Sequence, residues 1–259
     1  MTIENFGAGV RCAEAMRRLV VAEEEGRFPT AIKRCILLPI PTTKDKIHLT
    51  GTDRLLSEAL FNVRAGDFVA GYGIDREEKA RMKERGAIVY DALDDEDFLT
   101  ENAELTALGA LGYILSTTDK APSDLNIAIV GYGRIGSRLL RMLLFLGGRV
   151  RVFSGRERTC IDLAQMGINA TLLPRGSALP TASFDIIINT APTDFSASFV
   201  DDSLPKGLRV IELASGNNFR GIDGVEKLPG IPDKSYGKSA GKVYADRILS
   251  YVEGEVKKC

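Results

Sequence analysis

The sequence predicts an α/β protein in which a doubly wound parallel-sheet domain follows a smaller N-terminal α/β domain, with a cleft between them. Two observations carry this prediction. Short apolar runs alternate along the chain with stretches of helical periodicity. One apolar run leads directly into a G-x-G-x-x-G sequence at residues 131–136, and a helical stretch follows it. A parallel sheet with helices on both faces accounts for both observations.

The composition fits two globular domains and excludes several classes of partner. Of the 259 residues, 44% are hydrophobic and 27% are charged. The net charge is −1 and the two signs are interspersed, which argues against nucleic acid or a membrane surface as a partner. No apolar stretch has the length of a membrane span, and the N-terminus lacks the pattern of a signal peptide. We therefore expect a cytoplasmic protein.

Cysteine and histidine are too few and too scattered for a metal centre. The four cysteines, Cys12, Cys35, Cys160 and Cys259, show no C-x-x-C spacing, and His48 is the single histidine. We therefore expect no metal site. A lone histidine is more often structural than catalytic, which is how we interpret His48.

The first predicted domain covers residues 1–101. Its patterns predict helices at 11–25, 54–61 and 76–85, and strands at 35–39, 67–71 and 87–90. Thr52 or Asp53 is expected to cap the second of these helices, and Asp75 the third. Residues 1–30 offer a helix but no clear first strand.

The second predicted domain covers residues 102–237. After an acidic segment at 91–101, a buried helix over 105–115 marks the crossing into it. A helix is predicted at 137–146, and strands at 127–130, 149–153, 170–173, 184–189 and 208–213. A last helix within residues 238–259, from Ser239 to about Val256, is expected to pack back on the first domain.

The glycine-rich sequence lies in the context of a Rossmann dinucleotide-binding unit, between an apolar strand and a helix, with a second strand after the helix. The first glycine permits a tight turn, the second lets the backbone approach a diphosphate, and the third lets the helix pack on the strand. Amides at the helix start favour phosphates. The expected cofactor contacts are Gly131, Gly133, Arg134, Ile135 and Gly136. The alternative is a turn that only packs the helix.

The end of the second strand indicates which dinucleotide binds. An acidic residue there would hold the ribose hydroxyls of NAD, but the sequence from residue 152 reads VFSGRER. Ser154, Gly155 and Arg156, with Arg158 as a further candidate, suit a 2′-phosphate, since a guanidinium pairs bidentately with phosphate oxygens. We therefore favour NADP over NAD. A longer strand would bring the carboxylate of Glu157 to the ribose and favour NAD.

Two more turns follow predicted strands at the edge where ligands of open α/β sheets bind. Their small and hydroxyl-bearing residues leave room for the nicotinamide half of the cofactor. The expected contacts are Thr190, Ala191, Pro192, Ala214 and Ser215. The alternative is that both are ordinary strand-to-helix turns.

Six segments, taken in their order along the chain, resemble the family of dipicolinate synthase A subunits. The resemblance runs over most of the chain from about residue 35. An L-P-G sequence that leads into a helix start with the sequence S-A-G is its most specific part. The segments are 36–42, 102–107, 130–136, 188–192, 211–215, and 228–231 with 239–241.

The resemblance implies the architecture of D-2-hydroxyacid dehydrogenases and the sporulation chemistry of endospore-forming bacteria. The implied activity is that of an NAD(P)-dependent oxidoreductase, which uses NADP to convert a dihydrodipicolinate-type intermediate of the lysine pathway into dipicolinic acid. The implied partners are a small dicarboxylate substrate and a flavoprotein-like B subunit, and we expect a homo-oligomer.

Two alternatives stay open: a nucleotide-binding regulatory or scaffold subunit without turnover, and a D-2-hydroxyacid-type dehydrogenase. The second is disfavoured because no histidine follows His48 to act as general base. Three departures from the family pattern favour the scaffold alternative or leave the identity of the substrate undetermined. Leu108 stands where the family tends to have a glutamate, residues 232–237 are additional, and the missing first strand implies a shortened first domain.

Two pairs of candidates for binding the substrate carboxylates lie before the glycine loop, and no residue is assigned a catalytic role. Asn102 and Thr106 are one helical turn apart and could both donate hydrogen bonds, although Asn102, like Thr100, could instead cap the helix. Thr42 and Thr43 follow a predicted strand, with Lys44 beside them, in what could also be a solvated loop.

A third pair, Lys238 and Ser239, lies at the start of the last predicted helix. Helix-start amides and the helix dipole favour an anion there, and the lysine adds a positive charge. The alternative is that Ser239 simply caps the helix.

Overall fold

The computed structural model describes residues 1–199 and 203–256, and it confirms the predicted α/β fold. The chain forms two compact units. The first unit is built from Met1–Leu105 together with the chain from Pro232 onward, and the second unit is Thr106–Ile231. The end of the predicted C-terminal segment, including Cys259, lies outside the described residues.

All sheet strands are parallel to their neighbours. Those of the first unit are β1 Thr2–Asn5, β2 Arg34–Leu37, β3 Asp67–Gly71 and β4 Ile88–Asp91. Those of the second unit are β5 Asn126–Val130, β6 Arg149–Ser154, β7 Ala170–Leu172, β8 Ile186–Asn189, β9 Arg209–Glu212 and β10 Glu226–Lys227. The α-helices are α1 Gly9–Glu24, α2 Leu56–Leu60, α3 Arg76–Glu84, α4 Glu96–Thr117, α5 Arg134–Phe145, α6 Glu157–Gln165 and α7 Ile231–Val256.

The first unit has four strands in the order β1-β2-β3-β4. The expectation that its first strand is missing is wrong, because β1 pairs with β2 in register from Thr2 with Arg34 to Asn5 with Leu37. This strand lies at the sheet edge and none of its residues is fully buried, so it lacks the apolar run by which buried strands are recognised. The inference of a shortened first domain therefore loses its basis.

Two predicted helix starts can be compared with the structure. Helix α2 begins at Leu56 with Leu55 as its N-cap, so neither Thr52 nor Asp53 caps it. Asp75 does cap α3, as predicted, and accepts a hydrogen bond from the N–H of Glu77.

Helix α4 begins at Glu96, nine residues before its predicted start. Asp95 precedes it and accepts hydrogen bonds from the backbone N–H groups of Asp97 and Phe98. The sequence predicts this helix only from residue 105, but these hydrogen bonds make the second part of the acidic segment the first turn of α4.

The terminal helix begins earlier than predicted and is interrupted. Helix α7 starts at Ile231, and Tyr236 has non-helical dihedral angles, so a short first segment precedes a long second one. Together with residues of α1, the second segment covers one face of the first sheet. Its buried residues are Tyr244, Ala245, Ile248, Leu249 and Val252.

The described residues of the second unit form six strands in the order β10-β9-β8-β5-β6-β7. The order reverses between β5 and β8, which is where ligands bind in doubly wound sheets. The central strands are buried on both faces, as their uninterrupted apolar sequences predict. Helices α4, α5 and α6 contribute buried leucines to this core.

Candidate functional site

The glycine loop between β5 and α5 requires glycine at two of its three positions. Gly131 has φ +94°, and its N–H donates to the carbonyl of Phe153 in β6 at 2.8 Å. A Cβ at Gly136 would lie 2.2 Å from the carbonyl oxygen of Gly131. The helix can therefore approach the end of β5 only without a side chain at this position.

Gly133, the second glycine of the loop, faces open space. A Cβ at Gly133 would have no atom of the described chain within 4 Å, and this residue is the N-cap of α5 without a side-chain hydrogen bond. The first turn of α5 contains no acidic residue. The first amides of a helix have no acceptor within the helix, and its dipole favours an anion at this end. The loop, with Arg134 and Ile135 in the first turn of α5, therefore fits a dinucleotide diphosphate.

The residues expected at the 2′-phosphate lie at the end of β6. Ser154 is its last residue, one beyond the predicted end, and its Oγ accepts the N–H of Arg156 at 3.2 Å. Gly155 and Arg156 are exposed in the turn, whereas Glu157 is the first residue of α6. Arg158 pairs with Asp162 at 2.9 Å within this helix. The geometry thus leaves Arg156 as the better placed of the two arginines.

Thr190 connects the end of β8 to the glycine loop. Its hydroxyl lies 3.0 Å from the carbonyl oxygen of Val130 and 3.1 Å from that of Gly131, and it donates to them. A Cβ at Gly131 would lie 2.7 Å from this hydroxyl and 3.1 Å from the Cβ of Ala191. Thr190 and Ala191 therefore support the loop, and Pro192 continues the turn.

A buried polar cluster at the ends of β8 and β9 was not predicted. Asn189 is fully buried, and its Nδ2 donates to both carboxylate oxygens of Glu212 at 3.1 and 3.2 Å. Burial raises the pKa of Glu212, while the hydrogen bonds from Asn189, Asn218 and the N–H of Ala214 oppose this rise. The sequence signal that could have predicted this cluster is the polar residue at the end of each of the two apolar strands.

The turn after β9 is held by this cluster. The N–H of Ala214 donates to Glu212 at 2.8 Å, and the carbonyl oxygen of Ser215 accepts from Nδ2 of Asn218 at 3.2 Å. The predicted contacts Ala214 and Ser215 therefore have fixed backbone positions at the same sheet edge as the glycine loop.

Of the candidate substrate-binding residues in the first unit, Thr42 forms hydrogen bonds with the protein itself. It is 1% exposed, its Oγ1 accepts the N–H of Tyr72 at 2.8 Å, and its own N–H donates to the carbonyl of Tyr72 at 3.0 Å. Thr43 forms an isolated bridge with Leu49, and Lys44 is exposed. The pair thus belongs to a loop tied to the end of β3.

Asn102 and Thr106 lie in the interior of α4, one turn apart. The alternative that Thr100 or Asn102 caps this helix is wrong, because α4 begins at Glu96. Asn102 is half-buried and Thr106 is 9% exposed. Leu108, at the position of the family glutamate, is 39% exposed.

Lys238 and Ser239 are exposed at the start of the second segment of α7, just after the break at Tyr236. Most of the additional residues 232–237 therefore belong to the first segment of α7, which ends at the break at Tyr236. Within them, Asp233 accepts a hydrogen bond from the N–H of Arg11 in α1.

His48 lies on an exposed loop of the first unit. Its Nδ1 is 2.8 Å from Oδ2 of Asp45, and the other carboxylate oxygen accepts the N–H groups of Ile47 and His48. These hydrogen bonds lower the pKa of Asp45.

Metal-binding clusters and membrane-spanning helices are both absent from the described residues. In residues 1–199 and 203–256, no three His, Cys, Asp or Glu side chains are grouped so that they could hold a metal ion. No helix in this part of the chain is both long enough and apolar enough to cross a bilayer.

The fold is that of NAD(P)-binding dehydrogenases. The structure superimposes on a transhydrogenase from Sinorhizobium meliloti with a TM-score of 0.60 and 16% identity, covering 96% of this chain and 91% of that one. The dipicolinate synthase A subunit from Bacillus halodurans superimposes with a TM-score of 0.76 and 22% identity, covering 97% of each chain.

The comparisons confirm the resemblance to the dipicolinate synthase A subunits. The chain is 26% identical over 172 residues to the protein of that name from Bacillus subtilis strain 168, which is 62% of this chain and 56% of the relative. The match thus spans little more than half the length of this curated relative. No family model matches the chain.

Proposed function

We propose that the chain is an NADP-dependent oxidoreductase that dehydrogenates a dihydrodipicolinate-type intermediate to dipicolinic acid during sporulation, together with a flavoprotein-like B subunit. The observation that carries the proposal is the glycine loop, whose second glycine faces open space at the uncapped start of α5. The similarity to the dipicolinate synthase A subunits supports the choice of reaction.

The residues of the second unit provide the parts of a nucleotide site. The amides that follow Gly133 bind the diphosphate, and Ser154 and Arg156 bind the 2′-phosphate. Thr190 holds the loop in place through its hydrogen bonds to two carbonyl oxygens. A bound nicotinamide nucleotide supplies the hydride acceptor.

The proposed substrate is a cyclic dicarboxylate that becomes an aromatic pyridine. One C–H bond of the ring gives up a hydride and a second ring hydrogen leaves as a proton to water, so atoms and electrons balance. Because the product gains aromaticity, a strong general base is not required. The chain's own task is to bind two carboxylates and to orient the ring. In this proposal Thr42, Thr43, Asn102, Thr106, Lys238 and Ser239 are candidates for that task.

The activity is tested with the purified chain, its B partner, NADP and freshly generated dihydrodipicolinate, by the absorbance of the pyridine product. Gly133→Ala is the informative variant, since its Cβ meets no atom of the described chain but occupies the space of the diphosphate. We expect unchanged melting and lost turnover. Product formation by this variant at the wild-type rate would contradict the proposal.

The inactive scaffold is the second outcome of the same assay. The presence of β1 removes one of its supports, and Leu108 in place of a glutamate remains the other. NADP binding by a folded chain that yields no product in the presence of the B partner would select it.

The choice of NADP over NAD is tested at the end of β6. Arg156→Ala should weaken NADP binding about 10-fold or more and leave NAD binding unchanged, because only NADP carries the 2′-phosphate. Arg158→Ala is the matched control, since its side chain is already paired with Asp162. Equal losses for both nucleotides in Arg156→Ala, or tighter binding of NAD by the wild type, would argue for NAD.

A further inference from the structure

The first unit contains a buried arginine whose Nε has no hydrogen-bond partner within the described part of the chain. Arg11 is the third residue of α1 and is 5% exposed. Its Nε is buried and has no hydrogen-bond partner among the described residues. Its backbone N–H donates to Oδ1 of Asp233 at 2.8 Å.

Such a side chain is unfavourable for folding on its own. A cation that leaves water without a partner loses its hydration and gains no compensating contact. Burial lowers the pKa of Arg11, and the neighbouring groups that oppose this lowering are Asp233, Cys12, Tyr244 and Tyr72. Asp233 already accepts the backbone N–H, and burial raises the pKa of Cys12 to about 11, so that its thiol is neutral.

The surroundings hold this arginine in place through close packing. A Cβ at Gly241 would lie 2.6 Å from the carbonyl oxygen of Arg11, and a Cβ at Gly7 would lie 2.3 Å from the sulfur of Cys12. Gly9, at the start of α1, has φ +90° and packs against Asp233. The start of α1 is therefore fixed from both sides by glycines.

The location of Arg11 is that of a ligand-binding residue. Helix α1 follows β1, so its first turn lies beyond the carboxyl end of a parallel strand, the edge at which open α/β sheets bind ligands. Tyr72 follows β3 at the same edge, and Tyr244 of α7 donates its hydroxyl to the carbonyl of Leu38, just after β2. The start of α1, which carries Arg11, thus lies at the sheet edge formed by the carboxyl ends of β1, β2 and β3.

We propose that the guanidinium of Arg11 binds a carboxylate of the small-molecule substrate. Its planar fork matches the two oxygens of a carboxylate, which would supply the partner that the described residues do not. The choice of a cyclic dicarboxylate as substrate rests on the proposed function, whereas the binding of a carboxylate rests on Arg11 alone. None of the candidates predicted from the sequence includes this residue.

The test is calorimetric titration of dipicolinate into the full chain, with and without NADP. Arg11→Met should weaken dipicolinate binding by roughly 10- to 100-fold, the effect of removing a charged hydrogen-bonding partner. The affinity for NADP should be unchanged. The melting temperature should be unchanged or raised, because the substitution removes a buried unpaired charge. Arg17→Met is the matched control, since this residue of the same helix is exposed and paired with Glu14.

Two results would overturn the proposal even if the wild-type chain binds NADP. One is that Arg11→Met binds dipicolinate with wild-type affinity; the other is that the wild-type chain does not bind dipicolinate. Arg11-dependent dipicolinate binding in a chain that binds no NADP would instead overturn only the proposed oxidoreductase function. If Arg11→Met does not fold, Arg11→Lys keeps the charge without the fork and should lose about 10-fold in dipicolinate affinity. Failure of both variants to fold would show a structural role and overturn the proposal.

Discussion

The two units each join a first parallel strand to a first helix through glycines, but they treat the start of the helix in opposite ways. In the second unit, α5 starts at Gly133 without a side-chain cap and with no acidic residue in its first turn. In the first unit, the carboxylate of Asp233 accepts a hydrogen bond from the first turn of α1 at 2.8 Å. The start of α5 has no capping side chain at Gly133 and is proposed to bind an external anion, whereas the start of α1 is occupied by an anion of the chain itself.

The comparison shows that glycines after a strand do not by themselves indicate phosphate binding. Gly9 and Gly241 allow α1 and α7 to approach each other, whereas Gly133 faces open space. The proposed nucleotide site differs in that its N-cap residue, Gly133, has no side chain to cap the helix and the first turn of α5 contains no acidic residue. In the first unit the ligand-binding group is expected to be a side chain, Arg11, rather than the helix amides.

The largest expected effect on NADP binding comes from displacing the glycine loop at the start of α5. Gly136→Val would place its Cβ 2.2 Å from the carbonyl oxygen of Gly131, so the loop must move away from its position. We expect a loss of NADP affinity of about 100-fold or more, measured by calorimetry. Gly254→Ala is the control, because a Cβ there meets no atom of the described chain within 4 Å. Wild-type NADP affinity in Gly136→Val would show that the loop does not hold the diphosphate.

The corresponding change in the first unit should affect stability instead of nucleotide binding. Gly241→Ala places a Cβ 2.6 Å from the carbonyl oxygen of Arg11 and 2.7 Å from the Cβ of Glu14. Overpacking of this kind lowers the free energy of unfolding by about 1–3 kcal/mol, measurable by denaturant titration. NADP affinity at a temperature where the variant is folded should stay within about twofold of wild type. A large loss of NADP affinity would contradict the separation of the two roles.

Removal of the internal anion is the third test. Asp233→Ala deletes the acceptor for the N–H of Arg11 and should lower the free energy of unfolding by about 1 kcal/mol, the usual contribution of a helix cap. Asp233→Asn keeps an oxygen acceptor and should lose less. If the two variants are equally unstable, the carboxylate acts through its charge rather than through this hydrogen bond.

The smallest effect concerns the carboxylate at the edge of the second sheet. Because burial raises the pKa of Glu212, its contribution to stability is complete below the ordinary carboxyl pKa and is lost as the pH rises through the raised value. Glu212→Gln cannot ionise, so its melting temperature relative to wild type should rise as the pH increases above the ordinary carboxyl pKa of about 4. If the difference in melting temperature between Glu212→Gln and wild type does not vary with pH, burial does not raise the pKa of Glu212.

The second unit was predictable from the sequence because its central strands are buried on both faces and therefore read as uninterrupted apolar runs. The glycine loop was predictable because its context, and not its glycines alone, is specific. The edge strand β1 was missed, since half-exposed residues such as those of T-I-E-N carry no strand pattern. The early start of α7 was missed although Pro232 is its second residue, where proline favours a helix start.

The candidate site was less predictable than the fold. Arg11 stands among residues of α1 whose pattern does not distinguish a buried charge from a solvated one, whereas Glu212 ends an apolar strand. Their burial depends on segments distant in the chain, such as Asp233 for Arg11. The sequence offers both Arg156 and Arg158 as candidates for the same phosphate. The structure distinguishes them, because only Arg158 is paired with Asp162.

The return of α7 to the first unit has a consequence for biosynthesis. The second unit is continuous in sequence, whereas the first sheet needs Tyr244 and Val252 from α7 to complete one face. During translation all residues of the second unit are therefore synthesised before α7, which the N-terminal unit needs to close its core. Until then the emerging polypeptide exposes that apolar face to chaperones, and a premature stop codon ahead of α7 would unfold the part that was made first.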